Sequence, residues 1–192
     1  VLERNGPITA VVKFSGWHES DDDRTSPSTV RLTFTRGQPF VRISHTFVMS
    51  ADPEDTLVTG VELIASLRSA PASLGYLDAL VSKTAPLGEG GATILQRNVA
   101  DKQYPHRANE FVGSYAVEAG GQNVASGERY PGVAALLGAD VSVGVYVDQF
   151  WQMSPKAIRY APDSRTLALE LWPTEGAGEL DMARTEARRP GH

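Results

Sequence analysis

No cysteine occurs among the 192 residues, which excludes disulfides and thiolate-ligated metals. No apolar run reaches the roughly 18 residues that a membrane-spanning helix needs, so no such span is expected. A basic stripe is missing too. Acidic residues outnumber basic ones by 23 to 18 and the formal net charge is −5, which argues against a non-specific nucleic-acid binder. The nearest approach to a basic run, Arg184 to Arg189, is short and interrupted by Glu186. There is no internal repeat and no low-complexity segment. The N-terminal Val1-Leu2-Glu3-Arg4 shows neither an initiator Met nor a signal-peptide pattern, and strand-like sequence follows almost at once. The chain is therefore expected to be cut from something longer.

What is present is a β-rich pattern punctuated by 18 glycines and 12 prolines. Ile8 to Ser15 is rich in β-branched residues, and an acidic stretch, Glu19 to Asp23, reads as a solvated loop without the spacing of a calcium site. Thr29 to Thr35 alternates cleanly, Arg36-Gly37-Gln38-Pro39 supplies a turn, and Phe40 to Met49 runs back as the partner strand. In that partner Val41, Ile43, His45 and Phe47 share a face, so His45 reads as a core histidine, with a catalytic role as the rival reading. Leu57 to Leu67 is a further strand. Ser69 to Gly91 lacks a clear period; a short helical turn is expected at Leu74 to Val81 and a mobile loop at Gly88 to Gly91. Strands are expected at Ala92 to Gln96 and Phe111 to Val117, then a glycine-rich connection from Glu118 to Tyr130. Val133 to Leu137 pairs with Val141 to Val147, and Lys156 to Tyr160 pairs with Thr166 to Trp172 with Leu167, Leu169 and Leu171 inward.

About ten strands with little helix predict an all-β fold, a large antiparallel β-sandwich. One domain is expected over residues 1–175, with 176–192 as a linker or tail towards a further domain. Two stretches stand out chemically. Tyr104, His106, Arg107 and Asn109 gather on a polar loop beside Lys102. Phe150, Trp151 and Gln152, with Lys156 just beyond, place aromatics and amides at a strand end, where they suit either a sugar face or a domain interface. A zinc site would need two or three of His18, His45 and His106 to converge with a carboxylate, and no spacing suggests it; no metal ligand is assigned.

Four ordered stretches carry a resemblance: Gly6 to Gly16 (GPITAVVKFSG), Arg36 to Val48 (RGQPFVRISHTFV), Val141 to Ile158 (VSVGVYVDQFWQMSPKAI) and Leu167 to Pro173 (LALELWP). Together they resemble the central β-sandwich domain of the exo-rhamnogalacturonan lyase-like family of secreted polysaccharide lyases. The resemblance implies a super-sandwich, a multi-domain parent with a β domain before and an α/α toroid after, secretion, and β-elimination on rhamnogalacturonan. The partners it implies are a polysaccharide or oligosaccharide and the neighbouring domains, with no nucleic acid and no membrane. No cofactor is predicted, and a divalent cation is left open. Elimination from a uronic acid needs a base, a group that stabilises the carboxylate-enolate, and an acid for the leaving oxygen. His106, Tyr104, Arg107 and His45 are the candidates by residue type. Trp151, Gln152, Phe150, Lys156 and Asn109 are the candidates for substrate or interface contact. The rival readings are a non-catalytic carbohydrate-binding or spacer domain, and an accessory domain of a glycoside hydrolase.

Overall fold

The computed structural model describes residues 1–19, 24–48, 60–98 and 113–173. Fourteen antiparallel strands and no helix are found among them, in three sheets. The all-β class and the sandwich hold, with four more strands than the expected ten or so. The chain divides into two compact units, Val1–Leu57 and Val58–His192.

The first unit is one antiparallel sheet in the order of the chain: β1 (Leu2–Asn5), β2 (Thr9–Glu19), β3 (Arg24–Thr35) and β4 (Val41–Phe47). Register pairs Lys13 with Arg31, Leu32 with Ile43 and Val30 with His45. Since successive side chains alternate sides, Val12, Phe14, Leu32, Phe34, Val41 and Ile43 share one face and Lys13, Arg31, Thr33, Arg42 and Ser44 the other. The sheet is thus amphipathic. On the polar side Arg31 holds Glu3 in a two-point pair, Nε to Oε2 at 2.7 Å and a second N–H to Oε1 at 3.0 Å. Both partners are exposed, so the pair adds little stability. Among the described residues, no hydrophobic side chain of this unit is buried. β2 runs on through Trp17 and His18, which the sequence pattern had placed after the strand.

The second unit is a sandwich of six strands on four. Its strands are β5 (Val61–Ser66), β6 (Ser73–Asp78), β7 (Val81–Pro86), β8 (Ala92–Asn98), β9 (Gly113–Ala119), β10 (Gln122–Gly127), β11 (Val133–Leu137), β12 (Ser142–Tyr146), β13 (Lys156–Ala161) and β14 (Thr166–Trp172). One sheet has the order β10-β9-β8-β13-β14-β5 and the other β12-β11-β6-β7. Their inner faces share one core, with Ile94, Val117, Ile158 and Leu167 from the first sheet and Leu74, Tyr76, Ala134 and Leu136 from the second. Val143 and Val145 pack against it as the alternation requires, and so do Leu169 and Leu171.

Two expected elements differ here: the helical turn at Leu74 to Val81, and the glycine-rich connection from Glu118 to Tyr130, which holds β10 paired with β9. Leu74 to Val81 is no helical turn: it holds β6, a two-residue turn and the start of β7. Gly88 to Gly91 is a compact turn, with Gly90 packed closely on Gly120 and Gly121, the turn between β9 and β10. The first failure has a clear cause. Ala79 and Leu80 carry positive φ (47° and 69°) between paired Asp78 and Val81, the geometry of a type I′ hairpin without its usual Asn-Gly. β7 is mostly exposed, so it shows no apolar alternation either. Leu80 is 80% exposed and its side chain contributes little packing. Leu80→Gly is expected to raise unfolding stability by about 1 kcal/mol, the left-handed penalty removed less the added chain entropy. Urea midpoints of the two proteins test this, and a loss of stability would show that Leu80 packs on something.

Candidate functional site

The segment after β12 folds as a tight turn whose frame is buried. Val147 N–H donates to Gly132 O at 2.9 Å, and Met153 N–H donates to Gln149 O at 3.0 Å. The Asp148 carboxylate accepts from Gln149 N–H (3.0 Å) and from the Tyr146 hydroxyl (3.2 Å), which raises the pKa of that phenol. Gln149 has φ of 51° and the Ser154–Pro155 peptide is cis. Phe150 turns inward, 1% exposed, and meets Tyr130 edge to face at 5.8 Å; Tyr130 meets Tyr115 the same way at 5.1 Å. Gly132 (φ 80°) is needed where the chains touch, since a Cβ there would lie 2.7 Å from Phe150 Cβ.

The facing segment is held by Gln96, which is wholly buried in β8. Its amide donates to Glu128 O at 2.9 Å and accepts from Tyr130 N–H at 2.8 Å. The Tyr130 hydroxyl then donates to Val133 O (2.7 Å) and accepts from Leu77 N–H (3.2 Å), reaching the other sheet. Burial pushes the Tyr130 phenol up to about 12, so it stays protonated and keeps its donor. Arg129 precedes Tyr130 and Trp151 follows Phe150. With the two buried rings in contact, the neighbouring side chains meet above them, and Arg129 Cζ lies 4.8 Å from the centre of the Trp151 ring.

Of the residues singled out in the sequence, Trp151 is half-buried and Gln152 exposed beside Met153, at 60% exposure. Phe150 belongs to the core, and its part is to anchor the turn. Lys156 is also inside, 6% exposed and paired in register with Gln96; burial lowers its pKa, partly opposed by the Asp148 charge. His45 lies in the first unit, half-buried against His18 and Phe47, and its pKa is lowered by burial and by the neighbouring His18. Tyr104, His106, Arg107 and Asn109 lie outside the described residues. Sequence reasoning did not single out Arg129 or Gln96. Nothing in their local pattern marks them, since both are defined by strands far apart in the chain.

Residues 1–72 match the model of the PcRGLX-like protein central beta sandwich domain. The family is the one that the four stretches resemble. Its match takes in 72 of the 192 residues, namely the whole of the first sheet, then β5, and ends just before β6. Gly6 to Gly16 and Arg36 to Val48 fall inside the family match, whereas Val141 to Ile158 and Leu167 to Pro173 lie beyond it. Comparisons with curated proteins and with solved structures give no match.

The frame under Trp151 makes two predictions. Tyr130→Phe leaves Val133 O without its donor and Leu77 N–H without its acceptor, an expected loss of about 1–3 kcal/mol. Tyr160→Phe removes a buried hydroxyl that has no hydrogen-bond partner, and the variant is expected to be at least as stable as the parent. Urea unfolding of both variants checks the contrast, which equal losses would refute. For Lys156 the folded pKa lies below its unfolded value, so the unfolded chain binds the proton more tightly. Stability then rises with pH between the lowered folded value and the ordinary lysine value. Lys156→Met is expected to be more stable near neutrality and to lose that alkaline rise in a pH series of unfolding midpoints.

Proposed function

We propose that this chain is the β-sandwich part of a larger, secreted polysaccharide lyase-like protein acting on rhamnogalacturonan, and that its own task is to hold the sugar chain. The observation that carries the reading is the Arg129–Trp151–Gln152 surface. An indole offers a flat apolar face to a sugar ring, an exposed amide offers a donor and an acceptor, and a guanidinium suits a uronate carboxylate. A pectic backbone presents all three demands. The family match supports the choice of substrate class through the resemblance described above.

Bond breaking is assigned to the parent's other domains. Elimination needs a proton acceptor poised near neutrality. On the turn that carries Trp151, the Asp148 carboxylate accepts from the Tyr146 hydroxyl and holds the phenol proton in place, the opposite of such tuning. The rival reading, a seam against a neighbouring domain, draws on Met153 and Tyr146, exposed by 60% and 66% on the turn and on the strand that leads into it.

Calorimetry of the chain with rhamnogalacturonan oligosaccharides separates these readings. Saturable binding is expected, with Trp151→Ala and Arg129→Ala each weakening it about tenfold or more, the loss typical of a central aromatic or arginine contact. No unsaturated-uronate absorbance should develop. Unchanged affinity in both variants, or absence of binding, would favour the seam, and release of unsaturated product by this chain alone would overturn the division of labour.

A further inference from the structure

On the apolar side of the first sheet, His18 of β2 and His45 of β4 reach across β3 and bring their Nε2 atoms to 3.1 Å. Their ring centroids are 5.1 Å apart and tilted by 38°. The middle strand makes room for this. Register places Ser26 opposite His18 and Ser28 opposite Phe47, so small side chains lie on the strand between the two imidazoles. The Phe47 ring lies 5.4 Å from both imidazoles, tilted by 35° and 32° against them. Alternation sends Lys13, Arg31 and Arg42 to the opposite face, and the pair's own face carries Phe14, Val30 and Ile43 besides the two serines. Glu19 and Arg24 pair at the strand ends, beyond a register shift.

We propose that His18 and His45 form a two-histidine site for a borderline-soft divalent transition ion, with water completing its shell. Such an ion requires two ring nitrogens within reach of one point, and the 3.1 Å separation fits. A cation about 2.05 Å from both nitrogens subtends about 98° between them, intermediate between a right angle and the tetrahedral angle. Without metal, one Nε2–H donates to the other Nε2. On binding, that proton moves to Nδ1 of the same ring, so both imidazoles stay neutral and each presents a lone pair to the metal. Among the described residues no cluster of three or more metal-ligating side chains occurs, and the two imidazoles are the ligands proposed here. The ligand type also sets selectivity. Imidazole favours Cu²⁺, Ni²⁺, Zn²⁺ and Co²⁺, while Ca²⁺ and Mg²⁺ demand oxygen. The ion would tie β2 to β4 over the middle strand, so it would also stabilise the sheet.

The test is a titration of the full chain with Cu²⁺, Ni²⁺ and Ca²⁺, followed by calorimetry and, for Cu²⁺, by electron paramagnetic resonance. One Cu²⁺ per chain with two nitrogen ligands is expected, Ni²⁺ binding more weakly and Ca²⁺ not competing. His45→Phe and His18→Gln should each cost at least tenfold in Cu²⁺ affinity, while His106→Asn and His192→Asn should leave it unchanged. The phenyl replacement suits the ring contact with Phe47, and glutamine retains a hydrogen-bonding side chain without an imidazole, so the two variants perturb the sheet in different ways. Metal-free melting curves confirm that each is folded. Cu²⁺ affinity that survives both substitutions, or that falls with His106 or His192 instead, would overturn the proposal.

Discussion

A wholly buried side-chain amide governs the geometry of the second unit. Gln96 follows the buried Ile94 and Leu95 in β8, where an unmatched amide would cost about 1–3 kcal/mol or more. It is satisfied by the backbone on both sides of Arg129, through Glu128 O and Tyr130 N–H. The segment 128–130 can therefore sit in only one way. Tyr130 follows, and its hydroxyl spans to β11 and to Leu77 of β6, so the amide in one sheet and the phenol in the other fix the connection between them. Phe150 then packs on Tyr130, and the turn that carries Trp151 inherits its place from that contact. The surface chemistry is the last link of a chain of satisfied polar groups. Its side chains meet above a frame ordered during folding, which lowers the ordering cost that a ligand would otherwise meet.

The first sheet follows a different logic. Among its described residues no hydrophobic side chain is buried, and alternation and register decide what meets what. Each strand carries apolar residues on one side and polar residues on the other, so slippage by one residue would turn a whole strand over. The Arg36-Gly37-Gln38-Pro39 turn, with Gly37 at φ 75°, sets the pairing of Phe34 with Val41 and hence of Val30 with His45. The His18–His45 meeting depends on that turn, six residues from the nearer histidine.

Much of this was legible from the residues, and the exceptions have physical causes. Hairpins whose strands alternate and whose turns use Gly or Pro stood out, as at Arg36 to Pro39 and Ala161 to Ser164. The β6–β7 hairpin did not, because Ala79 and Leu80 adopt a conformation that sequence assigns to Asn and Gly, and because an exposed strand has no periodic burial to betray it. Trp151 and Gln152 were visible as a cluster. Their partner Arg129 was not, since it is brought there by a bond network running through Gln96, 33 residues earlier in the chain. Likewise His45 could be assigned to a face, while its convergence with His18 needed the register of β2 on β3 across a loop whose length is no guide to pairing.

The two histidines also bear on how the sheet keeps that register. A sheet with an apolar face but no buried hydrophobic side chain of its own, among the described residues, draws little on a core to penalise a slip. A contact that exists in one register only can supply the penalty instead. With His45 shifted by one position its ring would move to the side of Arg42 and Ser44, and the Nε2–Nε2 contact together with both ring contacts with Phe47 would be lost at once. A histidine pair therefore does what a buried polar group does in a coiled coil: it contributes modestly to stability and strongly to which pairing is chosen. A metal bound there would deepen the same preference, because it too demands both rings on one side of β3.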